Sequence, residues 1–435
     1  MMKFHLVSLG CPKNLVDSEG VAGDLRQLGW NYTEDPLDAD LVFVNTCGFI
    51  REAKEESLGA IMNMIEWKKQ KPGLKVCAFG CLIKRYQEEI ARDIPELDHL
   101  FDFHSLPHLK EWLNQVFPAP TRRSAPQKKK REGRLFTQPH VGYLKISEGC
   151  SNRCTYCAIP DIRGDFRSLP LKTVLQNAEQ LIETGAREII VVAQDTTRYG
   201  TDLPGKTHLP ELLQKLSELP KLHWIRLQYL HPARLSEALI NKLFTIPKVL
   251  PYFDIPFQHV ADEVLERMNR GIRQDDLTGL MKTIRHRFPV SVVRSTFIVG
   301  FPGETQAQFE QLLEFIEDTP FDRIGAFPFS PEEGTPAIHL RPRVSKKVAQ
   351  GRLDELMTLQ QMLINERNQQ WLGKTFEVII DRVEEGRAHG RTFGDAPEVD
   401  NEVHFSVTKK VVPGEFLKVR ICSADAYDFE GEIVP

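Results

Sequence analysis

The chain has 435 residues, 41% of them apolar, with 56 Lys plus Arg against 60 Asp plus Glu, for a formal charge of −4. At roughly 100–200 residues per domain this predicts two to four domains with buried cores, and the charge excludes a globally basic nucleic-acid coat. The eight cysteines are too sparse for a secreted disulfide scaffold, no stretch reaches the ~20 apolar residues of a membrane helix, and Met1 to Ser8 is too short for a secretory signal, so a reduced, cytoplasmic protein is expected.

From the first residues onward, short apolar runs alternate with amphipathic stretches: Phe4 to Leu9, Asn14 to Leu28, Leu41 to Val44, Phe49 to Trp67 and Lys75 to Phe79. The rhythm reads as β-α-β-α-β, a doubly wound parallel sheet in a domain over residues 1–117. Ligands of such sheets sit beyond the carboxyl ends of the strands, where the loops diverge. A cysteine follows each strand at that end: Cys11 after Leu9-Gly10, Cys47 in Asn45-Thr46-Cys47-Gly48, and Cys81 after Gly80. Singly, each is more often a small core residue than a ligand; three on one sheet edge predict a three-thiolate site. Cys77, inside the third strand, competes with Cys81, and the loop position after Gly80 decides for Cys81.

Over residues 118–135 the pattern collapses into Pro118, Pro120 and Pro126 among Arg122, Arg123, Lys128, Lys129, Lys130, Arg131 and Arg134. Like charges repel and extend, so this reads as a solvated, mobile linker, with a polyanion contact as its other use. Over residues 136–370 six strand candidates recur: Tyr143 to Ser147, Glu188 to Asp195, Trp224 to Leu230, Tyr252 to Gln258, Val292 to Gly300 and Ile324 to Ser330. Helical signals intervene at Leu171 to Thr184, Asp275 to Arg287 and Glu304 to Asp318. Repeated β-α units predict a partial (βα)6 parallel barrel with its chemistry on the loops that follow the strands. An amphipathic helix over Ser345 to Trp371 leads into residues 371–435. There Phe376 to Ile380, Val403 to Val407, Phe416 to Ile421 and Asp428 to Val434 predict a small antiparallel β-barrel of about five strands, with Cys422 an inert buried thiol.

Directly after the first barrel strand, Cys150, Cys154 and Cys157 form a C-x-x-x-C-x-x-C run in Glu148-Gly149-Cys150-Ser151-Asn152-Arg153-Cys154-Thr155-Tyr156-Cys157. Three thiolates on a short loop wrap one face of an iron-sulfur cube and leave one iron open to substrate or cofactor. A structural zinc site is the alternative, but it calls for a nearby fourth Cys or His. This spacing at the first strand of a six-unit barrel resembles the radical S-adenosylmethionine superfamily. The resemblance implies that the cofactor's amino and carboxylate groups chelate the open iron and that its reductive cleavage yields a 5′-deoxyadenosyl radical. Tyr156 would then line the adenine, or serve as ordinary packing. Gln194 and Asp195 end the second barrel strand, and Gly300, Gly303 and Glu304 follow the fifth, so these strand ends border the barrel mouth as cofactor-binding candidates. The glycines either let the backbone approach the cofactor or make a tight turn before the helix. Asp165 and Arg167, after the cysteine run, read as surface or loop-stabilising residues.

The resemblance extends along most of the chain. Ser8-Leu9-Gly10-Cys11-Pro12-Lys13-Asn14, Val44-Asn45-Thr46-Cys47-Gly48-Phe49-Ile50 and Phe79-Gly80-Cys81-Leu82 resemble the amino-terminal domain of methylthiotransferases, and the closing residues look like their TRAM domain. Within that family, Cys11-Pro12-Lys13-Asn14, Ala193-Gln194-Asp195-Thr196-Thr197-Arg198-Tyr199-Gly200, Tyr252 to His259 and Asp395-Ala396-Pro397-Glu398-Val399-Asp400 resemble the branch that modifies an aspartate of a small-subunit ribosomal protein. The branch that modifies tRNA adenosine is the rival. Leu169 stands where the family often has Arg, and Asp400-Asn401 where it often has Asp-Gly. The resemblance implies two [4Fe-4S] clusters, a radical one on Cys150, Cys154 and Cys157 and an auxiliary one on Cys11, Cys47 and Cys81 that holds or delivers sulfur, with a second S-adenosylmethionine supplying the methyl group. It also implies sulfur-donor and electron-donor partners. A non-enzymatic iron-sulfur carrier is the rival of a different class.

Charge gives a separate expectation. Residues 371–435 carry eight Lys plus Arg against 13 Asp plus Glu, whereas an RNA-gripping module is expected to be basic. An acidic face complements a basic protein partner, or merely keeps the domain soluble.

Overall fold

Every residue from Leu41 to Thr46 is buried, as befits the central strand of a sheet covered on both faces. The computed structural model describes residues 2–103, 106–117, 134–205, 208–319 and 321–434. Its amino-terminal sheet contains β1 (Lys3–Ser8), β2 (Asn31–Tyr32), β3 (Leu41–Thr46), β4 (Lys75–Gly80) and β5 (His99–Phe101), all parallel in the order β2-β1-β3-β4-β5. Helices α1 (Pro12–Gln27) and α4 (Leu109–Val116) cover the face that carries Phe4, Phe43 and Phe79, while α2 (Arg51–Gln70) and α3 (Cys81–Asp93) cover the face that carries Val42, Val44 and Val76. Cys77 is fully buried in the first of these cores, where loss of solvent pushes its thiol well up. Cys81 does not lie in a loop. It is the first residue of α3, because Gly80, at φ +104°, turns the chain directly from strand into helix.

All six predicted barrel strands form: β6 (Val141–Lys145), β9 (Glu188–Val192), β10 (Trp224–Leu227), β11 (Tyr252–Asp254), β12 (Val292–Val299) and β13 (Arg323–Pro328). They pair in parallel as β10-β9-β6 and β11-β12-β13. The two halves join where Leu250 N–H donates to the Ile225 carbonyl at 2.9 Å, giving an open six-strand arc. A two-stranded ribbon, β7 (Ser147–Glu148) with β8 (Arg167–Ser168), follows β6 and brackets α5 (Ile159–Arg163). Outside the arc lie α6 (Leu171–Glu183), α7 (Leu209–Ser217), α8 (Glu237–Phe244), α10 (Gln274–Arg287) and α11 (Gln306–Asp318), with α12 (Lys346–Gln369) packed on the edge strand β13 and the short α9 (Asp262–Arg267) packed near Tyr156 and Phe301.

The amino-terminal domain sits across the gap of this arc. Leu15 and Val16 of α1 pack on Tyr143, Ile190 and Val192 inside it. At the opposite edge, beyond β13, Glu332 is almost fully buried and receives Lys54 at 2.8 Å and Arg85 at 2.9 Å from α2 and α3. Of the basic linker expected over 118–135, only Arg134 and Leu135 are described; 118–133 lie outside the described residues. Leu135 N–H reaches the Glu19 carboxylate at 3.0 Å.

The last strands, β14 (Thr375–Glu384), β15 (Arg387–Arg391), β16 (Glu402–Ser406), β17 (Phe416–Ala424) and β18 (Asp428–Ile433), close into a barrel in the order β14-β15-β16-β18-β17. The expectation of a purely antiparallel barrel needs correcting: β16 and β18 run parallel. An odd number of strands cannot close with every neighbour reversed, so at least one parallel pair is unavoidable. Cys422 is also corrected. It is exposed, on the outward face of β17, with its thiol 3.5 Å from the Arg420 carbonyl oxygen.

This small barrel caps the amino-terminal end of the arc. Ile379 and Ala396 pack against Trp224, Tyr252 and Val292, each the first residue of its strand. A buried ion network crosses the junction: Glu188 accepts from Arg226 at 2.7 Å and from Arg391 at 2.8 Å, and Arg391 also grips Asp381 at 2.7 Å. Burial raises the Glu188 carboxyl, but the two guanidiniums outweigh it and hold the group below the usual range. Removing one member of such a network strands a buried charge, so Arg391→Ala is expected to cost about 3–5 kcal/mol, read by chemical denaturation followed through tryptophan fluorescence.

Candidate active site at the barrel mouth

Opposite the capping barrel, the loop after β6 carries Cys150, Cys154 and Cys157. Gly149, at φ +69°, begins it, and a Cβ there would lie 2.3 Å from the Asp165 carbonyl oxygen and 2.5 Å from that of Gly164. Only glycine lets the chain turn this close to the segment after α5. Cys150 N–H donates to the Gly164 carbonyl at 3.0 Å, and Asn152 N–H donates to the Cys150 sulfur at 3.4 Å. The far side of the loop is clipped to the end of α9: Thr155 N–H donates to the Met268 carbonyl at 3.1 Å, and the Asn269 side chain donates to the Arg153 carbonyl at 2.7 Å.

Buried polar side chains brace the loop. Asp195, 1% exposed, accepts from Asn152 at 2.8 Å and from Arg234 at 2.7 Å, and Arg234 also donates to the Asn152 side-chain oxygen at 2.7 Å. Arg270 donates to the Cys154 sulfur at 3.7 Å and faces His231 Nε2 at 2.8 Å. Burial, followed by Arg270, Arg234 and Arg198, pushes His231 down to about 2, so its imidazole is neutral. Tyr156 is half-buried, packing edge-on against Phe301 at 6.5 Å.

The second trio stands on the amino-terminal sheet. Cys11 caps α1, Cys47 follows β3 and Cys81 opens α3. They are close-packed: a Cβ on Gly10 would lie 2.8 Å from Cys47 Cβ and 3.1 Å from its sulfur, and one on Gly48 would lie 2.9 Å from the Cys81 carbonyl carbon. The Cys81 thiol donates to the Asn14 side-chain oxygen at 3.6 Å. Both trios share one neighbourhood, since Cys81 packs on Ala158, the residue after Cys157, and on Ile162. Arg163, at the end of that helix, donates to Asn14 at 2.6 Å, to Asp17 at 2.9 Å and to Glu148 at 2.9 Å.

The thiols differ in acidity. Burial pushes Cys47 up to about 11 and Cys157 up to about 12, and raises Cys81 and Cys150 as well. Burial also opposes ionisation of Cys11, but the Lys13 ammonium, the Asn14 N–H and Arg163 outweigh it and lower the group. Soft sulfurs in threes suit an iron-sulfur cluster, which displaces thiol protons on binding. The mouth also fits a polar cofactor. Both polar atoms of the Gln194 amide, Gln228 Oε1 and His231 Nδ1 are buried without a hydrogen-bond partner among the described residues.

The remaining cofactor-binding candidates have protein neighbours. The space beside Gly300 is taken by Ala349 of α12, and that beside Gly303 by the Arg267 guanidinium. Glu304 accepts from Phe301 N–H at 2.9 Å and lies 3.3 Å from Arg352. Asp165 is exposed and accepts from Arg153 at 3.1 Å. Sequence reasoning gave no role to Asn14, Asp17, Glu148, Asn152, Arg163, Arg234 or Arg270. Asn14, Glu148 and Asn152 lie in the quoted cysteine segments and could have been singled out; Arg163, Arg234 and Arg270 have no pattern that precedes the fold.

Known proteins agree with this layout. Residues 3–102 match the family described as Uncharacterized protein family UPF0004, residues 144–316 the Radical SAM superfamily and residues 372–434 the TRAM domain. The chain is 42% identical over 437 residues to a protein of Thermosipho africanus named ribosomal protein uS12 methylthiotransferase RimO, with all of both chains covered. It is 40% identical over 442 residues to the protein of the same name from Desulforamulus reducens, again with both chains fully covered. The chain belongs to the RimO family of methylthiotransferases. Among solved structures, the radical S-adenosylmethionine methyltransferase TsrM of Kitasatospora setae superposes with a TM-score of 0.56 at 15% identity, covering 89% of this chain and 81% of that one, a likeness of fold. As a radical SAM member of the RimO family, the chain takes an iron-sulfur cluster and S-adenosylmethionine as cofactors.

If Gly149 sets the path of the cysteine loop, Gly149→Ala should lower the iron and sulfide retained after anaerobic reconstitution, read by visible absorbance and iron assay. Gly279→Ala, on a helix with open space around it, should leave both unchanged.

Proposed function

We propose that this chain transfers a methylthio group to ribosomal protein uS12, at the β-carbon of an aspartate side chain. The observation that carries the reading is the contact of Cys81 with the helix that follows Cys157, which brings two cysteine trios to one barrel mouth, in a chain that matches RimO proteins from end to end. Cys150, Cys154 and Cys157 would hold the radical cluster, and Cys11, Cys47 and Cys81 an auxiliary one. With S-adenosylmethionine bound, these groups would supply the radical that opens a C–H bond and the sulfur and methyl that replace the hydrogen.

The chain's own residues position the parts. Asp195, Asn152 and Arg234 keep the radical loop folded, and Arg270 directs a guanidinium at the Cys154 sulfur. The unpartnered Gln194 amide, Tyr156 and the turn through Gly300, Gly303 and Glu304 would border S-adenosylmethionine. Arg163 holds the auxiliary side against the radical side through Asn14, Asp17 and Glu148. The proposed domains are residues 1–117, 136–370 and 371–435, with residues 118–135 as the linker. No described helix is long and apolar enough to cross a membrane, and the cytoplasm is the proposed compartment. Separate proteins would donate sulfur and electrons, and specific nucleic-acid binding is not expected, in keeping with the acidic closing domain.

The test is anaerobic reconstitution with iron and sulfide, then incubation with S-adenosylmethionine, dithionite and sulfide, with mass analysis of uS12 and of tRNA. A gain of one methylthio unit on the protein alone is expected. A gain on tRNA would favour the adenosine-modifying branch, and failure to cleave S-adenosylmethionine under reduction would favour a carrier. In the same assay, replacing Cys11, Cys47 and Cys81 together by Ala should remove ~4 irons per chain and abolish sulfur transfer, while S-adenosylmethionine cleavage persists.

A further inference from the structure

Lys13, the second residue of α1, is only 7% exposed. Its ammonium makes no hydrogen bond or ion pair among the described residues and lies 3.5 Å from the centre of the Tyr229 ring, at the end of β10. The other cations of this junction are paired: Lys145 and Arg163 both with Asp17 and Glu148, and Arg294 with Asp254 and Asp400 at 3.4 Å each. Asp254, a carboxylate whose field reaches Lys13, is already engaged by Tyr229 N–H at 3.0 Å and by Arg294. Cys11 beside it offers charge but no hydrogen bond, and a buried ammonium whose hydrogen-bonding capacity is unused is costly, whereas an apolar residue of similar volume would fill the same space without that cost. Lys13 also stands beside Cys11, at the side of the mouth where the two trios meet.

We propose that Lys13 is the specificity-determining residue for the substrate, its ammonium pairing with the side-chain carboxylate of the residue to be modified and so holding the neighbouring carbon between the two trios. This inference rests on the reading of a uS12 aspartate as target. An amide or a nucleobase offered to the same place brings the ammonium no opposite charge and is held less tightly for that reason. The ring of Tyr229 fixes the direction of the cation before the substrate arrives.

The test measures binding of the reconstituted full-length protein, with S-adenosylmethionine present, to uS12 both free and within the small ribosomal subunit. Each is presented with the target aspartate and with its Asp→Asn version, to the wild type, Lys13→Met and Lys13→Arg. The wild type is expected to prefer the aspartate form by about tenfold or more, Lys13→Met to bind both forms alike, and Lys13→Arg to recover part of the preference. Binding by the wild type without preference, or a Lys13→Met variant that keeps the full preference, overturns the inference and leaves the functional reading standing. A Lys13→Met variant that loses iron but keeps the preference also overturns it and assigns the residue to cluster assembly. Absence of wild-type binding to either form of uS12 overturns the functional reading and this inference with it.

Discussion

Six parallel strands do not close a barrel, and the open side has to be covered by something. Here the cover is the amino-terminal domain, which reaches both lips of the gap: α1 fills the space beside β6, and Lys54 and Arg85 clasp the buried Glu332 beyond β13. The positions of the two cysteine trios follow from this docking. Cys81 comes to rest on α5 because α3 is carried across the gap, and Arg163 reads the fit by gathering Asn14 and Asp17 from one domain and Glu148 from the other. Ion pairs of this kind add little net stability over apolar packing, but a shifted docking would leave them buried and unmatched. The pairs therefore act as a register for the interface more than as its main source of stability.

The same burial governs how the site can take up metal. Burial makes Cys47 and Cys157 less acidic than an ordinary thiol, while Cys11, under the fields of Lys13, Asn14 and Arg163, is more acidic than one. A metal arriving at the auxiliary side thus finds one sulfur that ionises readily and others whose protons it must displace itself.

Much of this was legible in the chain of letters. Six barrel strands announce themselves because each is a run of apolar residues between helical repeats, and the cysteine loop because its spacing is short and local. Strands Asn31–Tyr32 and His99–Phe101 are too brief to leave a periodic trace, and Arg387–Arg391 carries charges where a strand signal would need apolar residues. A glycine before a cysteine looks like a turn and suggests a loop at Cys81; the backbone at Gly80 makes the turn within one residue and the helix starts at once. Cys422 was read as buried by the habit of its residue type, while its neighbours Ile421 and Val419 take the inward positions of the strand. Arg163 and Arg270 owe their roles entirely to partners that are distant in sequence, and no window along the chain could reveal them.

The small carboxy-terminal barrel closes the floor of the arc, whereas both cysteine trios open at its roof. The eight residues of Val292–Val299 run between these levels, and at about 3.3 Å per residue they set a separation of ~26 Å. A guest that touches both ends must therefore reach at least that far. A peptide of only a few residues could occupy the roof and never meet the acidic domain below, so any discrimination exerted there would be invisible to it and would act only on a longer segment, a folded protein or a larger particle.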